Sequence, residues 1–117
     1  MTKFPNQLLG PWIRRFLLEY MVTERNLSLN TQRSYRDSLA MLLPFISARL
    51  RKPLDHLTVN DLSPEIVGIF LAHIEQKRGV SAATRNQRLA AIHSLARFIA
   101  EHSPEHVDWY GQVGRSI

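Results

Sequence analysis

The chain has 117 residues, 44% apolar and 21% charged, with fifteen Lys and Arg against ten Asp and Glu, a formal +5 and a pI near 10.2. This is the size and composition of one folded domain with one core, neither a disordered tail nor a two-domain enzyme. The absence of cysteine excludes a disulfide framework and a thiolate zinc site, and no signal-like N-terminus or membrane-length apolar run is present, so a cytoplasmic domain with a bias toward polyanions is expected.

Apolar residues recur at helical spacing throughout, and strand alternation is hard to find. A first helix is expected after Gly10-Pro11, with Trp12, Ile13, Phe16, Leu17 and Tyr20 on one face, ending near Glu24 to Asn26. A second opens at Ser28 or Asn30, either of which can cap it, and carries Tyr35, Leu39, Leu42, Leu43, Ile46 and Leu50. Pro44 predicts a kink or an early end to that helix. Residues 51–60 read as a polar connection.

The third helix has a sharp start in Ser63 as cap, Pro64 at the first position and Glu65 in the first turn, and Gly79 supplies a left-handed stop. Ile66, Phe70 and Ile74 line its inner face. The fourth runs from Ser81 to about His102 with Leu89, Ile92, Leu95, Ala96 and Ile99 inward, and Ser103-Pro104 ends it. A short helical turn is expected around residues 105–110, with Trp109 and Tyr110 anchoring the tail, followed by a linker from Gly111. Residues 1–9 are then an N-terminal arm, 10–106 the folded domain and 107–117 the start of a linker.

An internal echo divides the chain into two helical hairpins. Ser28 and Thr31 lie 53 positions before Ser81 and Thr84, and at the same offset Leu39, Leu42, Phe45 and Ile46 match Ile92, Leu95, Phe98 and Ile99. Short apolar helices also align by accident, so the echo alone does not prove the division.

The charge is unevenly placed. Residues 25–52 carry a net +5 and residues 77–97 another +5, whereas residues 53–76 carry −4 and residues 98–117 carry −2. The excess therefore lies on the second and fourth helices, whose N-termini also offer free N–H groups and a positive dipole end to phosphates. Hydroxyls and amides stand among those charges, including Ser28, Asn30, Thr31 and Ser34, then Ser81, Thr84, Asn86 and Gln87. Phosphate contacts position such a surface, while Asn, Gln and Arg reach base edges. A solvated helix face with capping hydroxyls is the bland alternative for any one of these residues.

Catalytic signatures are missing. The five glycines form no phosphate loop, and no serine stands beside a base and an orienting acid. His102 and His106 have metal-pair spacing, but Ser103-Pro104 breaks the helix between them and no third ligand is evident, so exposed tail histidines are expected.

Three motifs in order resemble one family. Leu27-Ser28-x-x-Thr31-x-x-Ser34-Tyr35-x-x-x-Leu39 resembles the second helix of the N-terminal core-binding domain of tyrosine recombinases and phage integrases. Leu57-Thr58-x-x-Asp61-Leu62 before a helix is similar to the segment that follows there. The run from Arg78-Gly79-Val80-Ser81-x-x-Thr84 through Asn86, Arg88-Leu89 and Ala91-Ile92-His93-Ser94-Leu95 to Arg97-Phe98 resembles that domain's fourth helix. The resemblance covers roughly residues 10–105.

It implies an all-α, compact, orthogonal bundle of four to five helices, SAM-like, built from two crossed hairpins. It further implies half of a clamp on double-stranded DNA, with Asn30, Thr31, Arg33, Ser34 and Arg36 facing DNA from the second helix and Ser81, Thr84, Arg85, Gln87 and Arg88 from the fourth. Ala83 stands where some relatives carry a basic residue. The family cuts and rejoins strands through a phosphotyrosyl intermediate, without metal or high-energy cofactor, as a tetramer of protomers on DNA, often for a mobile element. That chemistry belongs to a separate catalytic domain whose His-x-x-Arg motif is absent here, since His93 to Arg97 has the wrong spacing. No catalytic residue, metal site, cofactor or membrane contact is expected in this chain. A helical protein-interaction module, motivated by exposed Trp109 and Tyr110, and a stand-alone DNA-binding regulator remain the alternatives.

Overall fold

The computed structural model describes residues 5–24 and 27–115, with the side chains of residues 5 and 21–24 excepted. Within them lie five α-helices, with short 3-10 turns in the α2–α3 and α4–α5 connections: α1 (Leu9–Arg15), α2 (Leu29–Leu50), α3 (Pro64–Arg78), α4 (Ala82–His102) and α5 (Val107–Gly114). α1 passes without a break into a wider π-helical segment over Phe16–Glu24. No strand is present among the described residues; a single antiparallel bridge joins Leu8 and Thr58. The all-α bundle expected from the sequence is what forms.

Local signals explain most boundaries. The Ser28 hydroxyl accepts the Thr31 N–H at 3.2 Å, and Ser81 accepts the Thr84 N–H at the same distance, so the repeated Ser-x-x-Thr is a repeated cap. Ser63 caps α3 through the Ile66 N–H at 3.2 Å, with Pro64 in the first turn. Gly79 closes α3 at φ 62°, a left-handed conformation that glycine adopts without a Cβ penalty. α2 ends in the same conformation at Arg51, φ 56°.

Three expectations are corrected. The first helix begins at Leu9, ahead of Gly10-Pro11, because Leu9 is fully buried and its N–H donates to the Leu57 carbonyl at 2.8 Å. Of the two outcomes expected at Pro44, the early end does not occur: α2 continues to Leu50. Pro44 and Ala40, whose carbonyl loses its i+4 donor there, are both exposed to water, while Leu42 and Ile46 on the opposite face are fully buried. Core burial therefore outweighs one missing backbone bond. Finally, residues 107–114 are helical, so the helix runs on through residues 111–114 where a linker was expected.

The core gathers one stripe from each helix: Trp12, Ile13 and Phe16; Leu39, Leu42 and Ile46; Val67, Phe70, Leu71 and Ile74; Ile92, Leu95, Phe98 and Ile99; Trp109 and Val113. Leu57, Val59 and Leu62 bring the α2–α3 connection into it. Every apolar pair of the 53-residue echo is buried except Phe45, which is half-buried against the core. Phe98 sits edge-on to Trp12, Phe16 and Tyr20, and Tyr35 stacks on Phe16 at 6.3 Å, which joins α1, α2 and α4 in one aromatic cluster.

The tail is part of this body. Trp109 is buried and its indole Nε1 donates to the Leu62 carbonyl at 2.8 Å. His106 is also buried, with Nδ1 2.9 Å from the Ser103 hydroxyl, so it is no exposed tail histidine; His102 is exposed and places Nδ1 2.9 Å from the Phe98 carbonyl.

Candidate nucleic-acid interface

α2 and α4 cross where their basic N-terminal halves meet. A shallow groove of about 290 Å³ at the crossing is lined by Asn30, Thr31, Ser34 and Tyr35 from α2 and by Gln87 and Ala90 from α4. The Arg88 guanidinium reaches over from α4, with Nη1 3.0 Å from the Ser38 hydroxyl and 3.4 Å from the Ser34 carbonyl on α2. The two capping serines lie six and seven residues upstream of Ser34 and Arg88, or about 9 and 10 Å along their helices at 1.5 Å per residue. Both helix N-termini thus flank one surface.

The electrostatics of that surface are one-sided. Neither α2 nor α4 has an acidic residue in its first turn, so nothing on the helices themselves offsets the positive dipole ends. Arg33 and Arg36 are exposed and have no ion-pair partner among the described residues. Asn30, Ser81 and Gln87 are likewise exposed, while Thr31, Ser34 and Thr84 are half-buried. Thr31 and Thr84 are also tied by their hydroxyls to Ser28 and Ser81 at 3.0 and 3.2 Å.

Two arginines of the expected set are differently placed. Arg85 turns to α3, where its Nε lies 2.6 Å from Glu75 Oε1, and it lines another cleft with Val67, Gly68, Leu71 and Arg115. Its charge is compensated before any partner arrives. Arg88 is half-buried, its Nε is enclosed without a hydrogen-bond partner, and its Nη1 is committed to α2.

The positive charge along α2 also separates in space. Arg49, Arg51 and Lys52 lie at the far end of this 22-residue helix, about 30 Å from Ser28. Lys52 is paired there with Asp61 at 2.6 Å. Arg25, part of the same +5, lies outside the described residues. Arg33 and Arg36 are thus the exposed arginines left in the N-terminal half of α2, with Asp37 beside them, and neither lines the groove.

Sequence reasoning overlooked Ser38 and treated Tyr35 as a core residue only. Tyr35 does pack on Phe16, yet it also forms part of the groove wall. Ser38 is fully buried, donating to the Ser34 carbonyl at 2.7 Å while accepting from Arg88. Its signal is a hydroxyl standing beside Leu39 on the apolar stripe of α2, where a core helix normally carries carbon.

No group of three or more His, Asp or Glu side chains suited to a metal is present among the described residues. No helix among them is long and apolar enough to cross a membrane.

Residues 13–102 match the phage integrase N-terminal SAM-like domain family. The chain belongs to that family. This SAM-like domain is 39% identical over 106 residues to the putative integrase/recombinase y4rC of Sinorhizobium fredii, covering 91% of the chain and 31% of that protein. It is 38% identical over 97 residues to y4rD of the same organism, covering 83% of the chain and 34% of that protein. Tyrosine recombinase XerC of Pelotomaculum thermopropionicum is 39% identical over 83 residues, covering 70% of the chain and 26% of that protein. The SAM-like domain therefore spans between a quarter and about a third of the length of these relatives. No solved structure matches the chain significantly.

Proposed function

We propose that this domain grips duplex DNA at a recombination half-site, with α2 and α4 against the major groove, as half of the clamp of a site-specific tyrosine recombinase. The observation that carries the reading is the crossing itself. It sets two acid-free, serine-capped helix N-termini beside one groove lined mainly by hydroxyl and amide side chains, while unpaired Arg33 and Arg36 stand on the exposed faces of the same half of α2. Backbone N–H groups, hydroxyls and arginines are the groups that hold phosphates, and Asn30 and Gln87 have the donor–acceptor pair that reads adenine edges. Asn30, Thr31, Arg33, Ser34 and Arg36 on α2, and Ser81, Thr84 and Gln87 on α4, form the contact set, to which Arg85 adds little while Glu75 holds it.

The chemistry lies elsewhere in this reading. A longer protein carrying the domain cuts and rejoins strands through a tyrosine of another domain, assembled with further protomers on the DNA and acting in the cytoplasm. The chain's own part is placement. The alternative of a protein-interaction module is weakened because, of the two aromatics that motivated it, Trp109 is packed in the core and Tyr110 is half-buried against it.

Titration of the isotope-labelled domain with a duplex tests this directly. Amide shifts are expected to cluster at residues 28–36 and 81–88, with affinity that falls steeply as salt rises. Shifts confined to α3 and the Asp55–Asp61 turns, or none at low salt, overturn the reading.

A further inference from the structure

We propose that Arg88 and the buried Ser38 act as a positioning pair: their hydrogen bond sets the crossing of α2 on α4, and Arg88 is not a phosphate contact. The inference rests on the DNA-binding reading for its consequence, but its geometric core stands apart from it.

The hydrogen bonds run in one consistent direction. Arg88 Nη1 donates to Ser38 Oγ at 3.0 Å, and Ser38 Oγ in turn donates to the Ser34 carbonyl at 2.7 Å. That carbonyl lies 3.4 Å from Arg88 Nη1 as well. A rigid, planar guanidinium with fixed donor directions is thereby tied both to a side chain and to the backbone of the opposing helix, a geometry that a lysine ammonium does not reproduce. Ser38 has no exposure at all, so it cannot touch DNA, and its hydroxyl finds all its partners inside the crossing. Arg88 Nε is itself enclosed without a hydrogen-bond partner, so the guanidinium is held through Nη1 alone.

A buried hydroxyl and a half-buried cation in an otherwise apolar seam cost desolvation, which a plain alkyl contact between α2 and α4 would avoid. What they add is direction. The capped N-termini stand about 10 Å from the crossing, so a rotation of about 10° there moves each by roughly 2 Å. Contacts to phosphates and base edges tolerate about 0.5 Å. The bond between Arg88 and Ser38 therefore governs whether both helix ends meet the same duplex at once.

The test uses a 30-base-pair duplex and three variants, Ser38→Ala, Arg88→Gln and Arg88→Lys. Ser38→Ala changes no charge and leaves a small void, so it is expected to stay folded. It should weaken binding by about three- to tenfold, with no change in the slope of log K against log salt. Arg88→Gln should weaken binding to a similar degree with that slope also unchanged. Arg88→Lys, which keeps the charge and loses the fork, should resemble Arg88→Gln, and Ser38→Ala added to Arg88→Gln should cost nothing further.

A slope reduced by about one in Arg88→Gln but kept in Arg88→Lys, with Ser38→Ala silent, makes Arg88 a phosphate contact and overturns the proposal. Residual dipolar couplings of the free domain report the α2–α4 angle without DNA. A changed angle in Ser38→Ala and Arg88→Gln supports the pair even if the wild-type domain fails to bind the duplex. An unchanged angle in both refutes it whatever the binding.

Discussion

The Trp109 indole donates to the Leu62 carbonyl at 2.8 Å across 47 residues, and so pins the C-terminal helix to the turn that precedes α3. That turn is where the two hairpins join, and Leu62 is itself fully buried. Trp109→Ala removes a large buried ring and orphans the carbonyl, so a loss of about 3–5 kcal/mol is expected. Trp109→Phe, which fills most of the space but cannot donate, should cost about 1–3 kcal/mol. Urea denaturation followed by helical circular dichroism measures both, and equal small losses would mean that α5 is an appendage.

How far such features can be read from sequence depends on where their cause lies. α3 is readable because Ser63, Pro64 and Gly79 act on their own neighbours. The caps at Ser28 and Ser81 are readable for the same reason, and with them the two ends of the proposed DNA surface. The continuation of α2 past Pro44 is not, because it depends on what Leu42 and Ile46 meet in the core. The anchoring of the tail by Trp109 is readable, but the extent of α5 is not, since its stripe is only Trp109 and Val113 and it carries glycine at positions 111 and 114. At the site, Arg85 and Arg88 look alike in the sequence; Glu75 on α3 and Ser38 on α2 tell them apart.

Two helix ends share a left-handed terminus and differ in the residue that adopts it. Gly79 at φ 62° suits glycine, so Gly79→Ala should lose about 1 kcal/mol even though no atom lies within 4 Å of the added Cβ. Arg51 at φ 56° is the reverse case. Arg51→Gly should gain about 0.5–1 kcal/mol, because the strain relieved in the folded chain exceeds the entropy added to the unfolded one. Thermal midpoints measured side by side settle the sign of each.

Asp61 makes stability depend on pH. Burial alone would raise its carboxyl, but the hydrogen bond from Lys52 Nζ at 2.6 Å, the Thr58 N–H at 2.8 Å and the Lys52 charge outweigh it and hold the carboxyl below its ordinary 3.8. A carboxylate lowered in the folded state binds its proton more weakly there than in the unfolded chain. Its contribution is therefore fully present above about pH 4 and is lost as pH falls below that value. Asp61→Asn should cost about 1–2 kcal/mol at pH 7, through the loss of charged hydrogen bonds, and much less near pH 2. Denaturation of both proteins at the two pH values checks it; an equal difference at each would assign the cost to packing instead.

Arg33, Arg36 and Arg85 should separate by environment and not by charge. Arg33 and Arg36 are exposed and unpaired among the described residues, so removing both subtracts two free cations from the N-terminal half of α2. Removing one bond to a phosphate reduces the salt slope by about 0.9, so Arg33→Ala combined with Arg36→Ala should lower it by up to about 2 and weaken binding most at low salt. Arg85→Ala should leave the slope nearly unchanged, since Glu75 at 2.6 Å already holds that charge. Glu75→Gln sharpens the comparison. It frees Arg85 without touching α2 or α4, and it should raise low-salt affinity modestly, with the gain abolished by Arg85→Ala. Fluorescence anisotropy with one duplex across a salt series reads all of these. Slopes that fall equally for Arg85→Ala and Arg33→Ala would place the duplex across the α3–α4 side of the domain, away from the groove between α2 and α4.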